Sequence, residues 1–147
     1  MTRVFDASRE LVFRAWTDRV HLMHWSAPHG FTVTHSEGDL RPGGRWRACM
    51  RSPEGTEYWL GGVYREITSP ERLVFTHAWE EPKGTPGHET LVTITLVAQR
   101  GKTKLTFHQT GFASVEARDG HRGGWSESFE RLADCVARMK EEHNGRE

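Results

Sequence analysis

The sequence has few cysteines, no long apolar run and no excess of either charge. Its two cysteines, Cys49 and Cys135, stand far apart and outside any Cys-x-x-Cys motif, which argues against a disulfide scaffold and a cysteine-based zinc site. No stretch approaches the roughly 20 consecutive apolar residues that a membrane-spanning helix needs. A chain of 147 residues can bury a core without cross-links, so we expect one domain over residues 1–147, with two buried thiols.

The formal charge of the chain is balanced, because 20 Lys and Arg residues face 20 Asp and Glu residues. Without a net field to attract polyanions, we expect no binding to nucleic acid and no insertion into membranes. The N-terminal segment MTRVFDASRE carries charges where a secretory signal would need an apolar run, so we expect a cytoplasmic protein.

Two kinds of hydrophobic periodicity divide the chain. Residues 2–6 predict a short strand, Ser8 is a candidate N-cap for a first helix, and residues 19–25 predict a second. Period-two alternation, broken by glycine- and proline-containing turns, then predicts antiparallel strands at 31–35, 45–51, 57–68, 72–79, 88–98 and 103–111.

The last segment returns to helical spacing. Apolar or small residues recur at i, i+3, i+4, i+7, i+11 and i+14, namely at Trp125, Ser128, Phe129, Leu132, Val136 and Met139. The helix can begin as early as Ser114, a candidate N-cap, and a rod from there to about residue 142 would be about 40 Å long. The predicted element order is therefore β-α-α-β6-α.

The apolar face of such a sheet must be covered, and only the terminal helix is long enough to cover it. The glycine pairs at 43–44 and 61–62 favour a curved sheet, with a bulge or bend at the second pair, and a curved sheet closing on one helix leaves a cavity. Simple alternation predicts the following side chains on the helix-facing side: Trp46, Ala48, Met50, Trp59, Val63, Phe75, His77, Trp79, Val92, Ile94, Leu96, Leu105, Phe107 and Gln109.

Twelve residues are candidate ligand contacts in this cavity. The tryptophans among them can equally be plain core, and the polar His77 and Gln109 must find either a ligand or a neighbouring side chain as partner. The candidates are Trp25, Trp46, Met50, Trp59, Phe75, His77, Trp79, Ile94, Phe107, Gln109, Trp125 and Phe129.

Three other patterns carry alternative interpretations. His21 and His24, with His29 and His35 nearby, have the spacing of a metal site, but solvated helix histidines explain it equally well, so we expect no metal and no cofactor. Glu127 or Glu130 beside His77 would allow acid–base chemistry, but helical phase places both off the apolar stripe, so we assign no catalytic residue. The third pattern is a basic run with Trp46 within it, which would suit a phosphate or nucleic-acid surface; its members are Arg41, Arg45, Arg47 and Arg51. Alternation places Arg45, Arg47 and Arg51 on the solvent side of a strand, where we expect nearby acids such as Glu54, Glu57 and Glu66 to neutralise them.

Short motifs in order across about residues 3 to 135 carry a family resemblance. They are Phe5-Asp6-Ala7, residues 12–18 (VFRAWTD), Trp25 with Pro28, residues 39–44 (DLRPGG), 62–67 (GVYREI), 70–76 (PERLVFT), Gly111-Phe112 and Gly124-Trp125. The sequence resembles the START-like, SRPBCC helix-grip superfamily, in the AHSA-type branch similar to the C-terminal domain of the activator of the heat-shock chaperone ATPase. The resemblance implies an α+β, birch-pollen-allergen-like fold, in which a curved antiparallel sheet of about seven strands wraps a long C-terminal helix. Many members have two consecutive tryptophans where this chain has Trp25-Ser26, which predicts a wider or more polar cavity mouth.

The resemblance implies a cavity but not one chemistry, since a fold hosts many functions. We expect the protein to bind a hydrophobic or amphipathic small molecule between the sheet and the C-terminal helix. The alternatives are an interaction partner that stimulates a chaperone ATPase, as the relative named above implies, and an enzyme acting on a cavity-bound substrate. A homodimer formed through an exposed strand or helix surface is compatible with the sequence.

Overall fold

A computed structural model describes residues 1–145, which form the predicted series β-α-α-β6-α. The three helices are α1 (Arg9–Thr17), α2 (Arg19–Trp25) and α3 (Val115–Gly145). The seven strands are β1 (Thr2–Phe5), β2 (Thr32–Gly38), β3 (Arg45–Arg51), β4 (Glu57–Thr68), β5 (Arg72–Trp79), β6 (Thr90–Gln99) and β7 (Lys102–Thr110).

All seven strands form one antiparallel sheet in the order β1-β7-β6-β5-β4-β3-β2. Six of them are consecutive hairpin neighbours, and β1 closes the other edge by pairing with β7, with Thr2 opposite Thr106 and Phe5 opposite Thr103. The curved sheet wraps the long helix α3, which confirms the predicted helix-grip fold. No helix within residues 1–145 combines the length and the apolar character needed to cross a membrane.

Polar caps set the starts of the helices where the sequence places them. The Ser8 hydroxyl accepts a hydrogen bond from the Leu11 amide (3.3 Å), and the Asp18 carboxylate accepts one from the Val20 amide (2.9 Å). The hydroxyl of Ser114 accepts from the Ala117 amide at 3.0 Å, so α3 starts immediately after the predicted cap.

One apolar cluster joins α1, α2, the concave face of the sheet and the C-terminal part of α3. Trp25 is completely buried in it and donates its indole N–H to the Ala15 carbonyl at 2.8 Å, which ties α2 to α1. Trp16 packs edge-on against Trp25, with ring centroids 4.5 Å apart. On α3, the predicted stripe is buried except for Trp125, which is only partly buried, and Cys135 is buried with it; the buried stripe residues are Ser128, Phe129, Leu132, Val136 and Met139.

The predicted helix-facing side of the sheet is correct except in the first half of β4. Ala48 of β3 pairs with Leu60, and Met50 pairs with Tyr58, so Tyr58 and Leu60 share the concave face with them. Trp59 pairs instead with Cys49 and points to the convex face, as does Val63 opposite Arg45. The prediction for Trp59 and Val63 was wrong because β4 alternates with the opposite phase, and a one-residue slip reverses every side chain.

The predicted bulge at Gly61-Gly62 is also misplaced. The register between β4 and β5 shifts between Tyr64 and Glu66, so the irregularity begins two residues after Gly62. The glycines serve close packing of backbone instead, since a Cβ at Gly62 would lie 1.9 Å from the carbonyl oxygen of Thr76.

The loop between α2 and β2 is fastened to α3 by a single guanidinium. Arg131 donates through Nη1 to the carbonyl oxygens of Ala27, Pro28 and Phe31 at 2.9, 3.1 and 3.0 Å, and through Nη2 to that of His24 at 3.2 Å. These carbonyls belong to the end of a helix and an irregular loop, where the backbone has no regular partners of its own. Arg131 therefore fixes the position of a loop whose side chains help to form the site described below.

We expect Arg131→Lys to lower the free energy of unfolding by about 2 kcal/mol, because one ammonium cannot replace a planar fork that serves four carbonyls. Urea denaturation followed by tryptophan fluorescence measures the change. The control is Arg122→Lys on the same helix, where the exposed Arg122 has no ion pair or hydrogen bond within residues 1–145. Equal stabilities for the two variants would contradict the role given to Arg131.

Candidate functional site

Two connected spaces lie between the concave face of the sheet and helices α2 and α3. An inner chamber of about 70 Å³ extends toward α1, and an outer cleft of about 890 Å³ opens to the surface. The inner chamber lies directly behind the cleft, because both are lined by Ser26, Met50, Leu60, His77 and Trp125. The cleft volume falls within the range of about 300–1,000 Å³ that is common for small-molecule sites.

The inner chamber is mainly aromatic and apolar, with one charged group at its far end. Trp16, Trp25, Trp46 and Phe75 contribute to its walls. At the end away from the cleft, Arg19 donates a hydrogen bond to the hydroxyl of Tyr64. Burial raises the pKa of Tyr64, and Arg19 opposes that rise, so the phenol stays protonated and neutral at pH 7.

The outer cleft is lined by aromatic side chains and by the N-terminal half of α3. Tyr58 and Trp79 form one wall, with their ring centroids 6.3 Å apart, and His121 faces Trp79 from α3 at 6.0 Å. Gly120 and Gly124 of α3 also line the cleft, and a Cβ at Gly120 would meet nothing within 4 Å. The glycines that weaken the first half of α3 thus leave open space where the helix passes the cleft.

The indole N–H groups of Trp46, Trp79 and Trp125 already have partners in the protein, whereas that of Trp16, which lines the inner chamber, has none among residues 1–145. Trp46 donates to the Thr76 carbonyl at 3.1 Å, and Trp79 donates to Nε2 of His121 at 3.1 Å. Trp125 donates to Oε1 of Gln109 at 2.9 Å. These three rings therefore offer a ligand their faces rather than a hydrogen-bond donor.

Gln109 finds its partners in neighbouring side chains. Its Oε1 accepts from Trp125, and its Nε2 donates to the hydroxyl of Thr90 at 2.8 Å. The sequence left open whether a ligand or a neighbouring side chain would satisfy the polar group of Gln109. In the structure, neighbouring side chains do so. Gln109 orients Trp125 and supports the cavity wall from behind.

His77 differs from these groups because one of its ring nitrogens has no hydrogen-bond partner in the part of the chain that the structure describes. Its side chain lies on the concave face as predicted, 4% exposed, and its Nδ1 has no hydrogen-bond partner among residues 1–145. Burial, assisted by the nearby His121, lowers the pKa of His77 to about 3. The ring is therefore a neutral imidazole at pH 7.

The other predicted contact residues divide between the cavity and the core. Trp25, Trp46, Met50, Phe75, His77 and Trp125 line the inner chamber, and Trp79 lines the cleft, as does Trp59 although it lies on the convex side of β4. Ile94, Phe107 and Phe129 lie in the core, where Phe107 and Phe129 pack against Trp125 at 4.7 and 5.8 Å between ring centroids. That any of these residues binds a ligand stays a prediction.

Sequence reasoning missed several lining residues. Tyr58 and Leu60 were lost to the phase error in β4. His121 lies outside the predicted apolar stripe of α3, and its only sequence signal is its position among Gly120, Gly123 and Gly124. A helix segment with several glycines leaves space beside the helix that its own side chains do not fill.

In the histidine-rich segment before β2, His29 contacts two carboxylates of α3. Nε2 of His29 lies 2.8 Å from Glu130, its Nδ1 lies 3.7 Å from Glu127, and its backbone amide donates to Glu127. Both carboxylates therefore face the α2–β2 loop, so neither forms the pair with His77 that acid–base chemistry would need. No group of three metal-ligating side chains occurs in the part of the chain that the structure describes.

Arg45, Arg47 and Arg51 lie on the convex face of β3, as predicted, and the acidic partner of Arg47 is Glu80 rather than one of the expected acids. Arg47 donates to both carboxylate oxygens of Glu80, at 2.6 and 3.0 Å, and its guanidinium covers the Trp59 ring at 3.8 Å. The hydrogen-bonded pair raises the pKa of Arg47 and lowers that of Glu80. This stacking holds the Trp59 ring against the convex face of the sheet.

Comparison with known proteins identifies the family. The chain matches the family described as activator of Hsp90 ATPase homolog 1-like protein over residues 6–137. No curated protein matches it significantly.

Solved structures share the fold over nearly the whole chain. The AHSA1 protein from Silicibacter pomeroyi is 26% identical with a TM-score of 0.85, over 95% of this chain and 96% of that one. A protein from Chromobacterium violaceum is 28% identical with a TM-score of 0.82, over 91% and 93% of the respective chains. A protein from Rhodobacter sphaeroides is 26% identical with a TM-score of 0.78, over 95% and 91%. Because the match covers most of the sequence and the predicted element order is observed, this chain belongs to the activator of Hsp90 ATPase homolog 1-like protein family.

Proposed function

We propose that this protein binds a hydrophobic or amphipathic small molecule in the cavity between the sheet and α3. The observation that carries the proposal is an aromatic cleft of about 890 Å³ that continues into an inner chamber within the core. A concave, largely apolar site with a few polar groups is the usual form of a small-molecule pocket. The cleft walls keep indole faces exposed, which is costly for a surface that serves packing alone.

The state of His77 favours binding over acid–base catalysis. A general base is most effective when its pKa lies near the working pH, whereas the pKa of His77 is about 3. The two carboxylates considered as its partners, Glu127 and Glu130, are engaged with His29. A neutral imidazole in this setting can exchange hydrogen bonds with a bound molecule without transferring a proton.

A fluorescent anilinonaphthalene probe should bind saturably, with about one molecule per chain, and should quench the fluorescence of the tryptophans in the cavity. Native mass spectrometry of the protein purified from its expression host should show a retained mass that is lost on denaturation. If neither saturation nor a retained mass is found, the proposal fails.

Two tryptophan substitutions should separate an exposed cleft wall from tight packing. Trp25 borders the small inner chamber but is fully buried, so Trp25→Ala should lower the free energy of unfolding by about 3–5 kcal/mol. Trp79 is 37% exposed and lines the cleft, so Trp79→Ala should cost about 1 kcal/mol while weakening probe binding several-fold. Denaturation and probe titration measure the two effects.

The matched control is Leu91→Ala on the convex face, where Leu91 is 38% exposed. Because Leu91 is as buried as Trp79, Leu91→Ala should likewise cost about 1 kcal/mol, but it should leave probe affinity unchanged. Probe binding that is equally weakened by Leu91→Ala and Trp79→Ala would show that the probe reports general surface hydrophobicity.

His77→Phe should leave the free energy of unfolding unchanged or raise it by about 1 kcal/mol at pH 7, because it removes an unpaired buried nitrogen. The advantage should grow from pH 7 to pH 5. An unfolded histidine takes up a proton near pH 6.5, whereas folded His77 does so only near pH 3, so acid favours unfolding of the wild-type protein.

Urea denaturation at several pH values measures this difference between wild type and variant. The comparison between the two proteins cancels the titration of carboxylates and of His121, which both proteins retain. A difference in stability that stays constant with pH would show that His77 titrates normally in the folded protein.

The family name supports a second candidate function. Its description names an activator of the Hsp90 ATPase, so this chain would stimulate a chaperone ATPase by direct contact. Adding the purified protein to a purified Hsp90-type chaperone and measuring ATP hydrolysis tests the idea. Unchanged hydrolysis at micromolar concentrations, with no complex on gel filtration, would reject it.

A further inference from the structure

The surroundings of His77 indicate what kind of molecule the cavity accepts. Four aromatic rings surround the imidazole, with centroids 5.9 Å away for Trp46, 5.6 Å for Trp79, 5.5 Å for His121 and 6.1 Å for Trp125. The ring lines both the inner chamber and the cleft, so it lies where the two spaces meet. A ligand that passes from the cleft toward the chamber must contact it.

Other polar groups near this junction are already occupied. The hydroxyl of Ser26 donates to the Leu22 carbonyl at 2.6 Å, and that of Ser128 donates to the Gly124 carbonyl at 3.0 Å. The indoles of Trp46, Trp79 and Trp125 donate to protein acceptors, as described above. Nδ1 of His77 and, in the wall of the inner chamber, Nε1 of Trp16 are buried without a partner among residues 1–145, and an unpaired buried polar atom costs free energy until something binds it.

The walls of the cleft determine the shape of the partner. Indole and phenol faces at Tyr58, Trp79 and Trp125 favour flat rings, which can pack offset or edge-on against them. The inner chamber of about 70 Å³ is too small for a ring system and has room only for a substituent or a few water molecules. The ring system of a ligand must therefore stay in the cleft, with its substituent near His77.

We propose that the cavity selects flat, uncharged aromatic compounds that carry one hydroxyl or carbonyl group, which hydrogen-bonds with the imidazole of His77. This inference rests on the proposed function, since it names the ligand class of the same cavity. A neutral ligand fits because the guanidinium at the cleft, Arg47, is already bound by both oxygens of Glu80. The remaining cation, Arg19, lies at the far end of the chamber and donates to Tyr64.

The test compares three probes of one shape: naphthalene, 2-naphthol and 2-naphthoate. Isothermal titration calorimetry at pH 7 gives their affinities for the wild-type protein, His77→Phe and the control His108→Phe. His108 is exposed on the strand β7 beside the site, and its side chain points to the convex face. Long-range ¹H–¹⁵N spectra of the imidazoles report directly on a hydrogen bond to His77.

We expect 2-naphthol to bind the wild-type protein and His108→Phe about tenfold more tightly than naphthalene, a factor typical of one hydrogen bond. In His77→Phe the two affinities should become equal. The ¹⁵N signals of His77 should shift on addition of 2-naphthol but not of naphthalene. The naphthalene affinity itself provides the check that the His77→Phe cavity still forms.

Three results would overturn the inference and leave the proposed function standing. In the first, 2-naphthol and naphthalene bind the wild-type protein equally well, and in the second, the tenfold preference persists in His77→Phe. In the third, 2-naphthoate binds most tightly, which would assign the polar contact to Arg19. If none of the three probes binds and the anilinonaphthalene probe does not saturate, the proposed function fails as well.

Discussion

The packing of α3 against the concave face of the sheet is the contact on which both the core and the cavity depend. The C-terminal part of the helix presents Phe129, Leu132 and Val136 to the sheet, and these residues are fully or almost fully buried. Burying one such side chain contributes about 1.5–3 kcal/mol, so this part of the helix holds the two layers together. The N-terminal part approaches the sheet with glycines and His121, and there the layers separate to form the cleft.

Polar groups within the cavity are arranged so that few are free to bind a ligand. Trp125 is held by Gln109, Trp79 by His121 and Arg47 by Glu80, each through a hydrogen bond within the protein. Such bonds fix the aromatic rings in one orientation, which reduces the entropy lost when a ligand binds against them. Under the proposed function, specificity would rest on shape and on the two unpaired nitrogens within residues 1–145, those of His77 and Trp16.

The sequence predicted the fold better than the site, and the reason lies in how each is encoded. In β3, β6 and β7 the large apolar side chains fall mainly on one phase. In β5, where residues 73–78 are all buried, the bulky Phe75 and Trp79 mark the concave phase, so the concave faces of these strands were predicted correctly. In β4 both phases carry large apolar side chains, with Tyr58 and Leu60 on one and Trp59 and Val63 on the other. The stacking of Arg47 on Trp59 is a contact between strands that periodicity within a single strand cannot reveal.

Contacts between elements that lie far apart in the sequence could not be predicted from it either. The choice of Glu80 as partner of Arg47 depends on how β3, β4 and the end of β5 are placed side by side, and sequence proximity pointed instead to Glu54, Glu57 and Glu66. The bond between Trp125 and Gln109 depends on the rotation of α3 about its axis. The inward position of His77, in contrast, follows from alternation with Phe75 and Trp79 alone, which is why the sequence could single it out.

The uneven composition of α3 gives its two halves different local stabilities. Gly120, Gly123 and Gly124 each cost about 1 kcal/mol of helical stability relative to alanine, and all three lie in the half beside the cleft. Fluctuations that unwind this half therefore cost less than those that unwind the half packed in the core. Under the proposed binding function, transient fraying of the first turns of α3 would admit or release the ligand, while the apolar layers beneath the rest of the helix remain in contact.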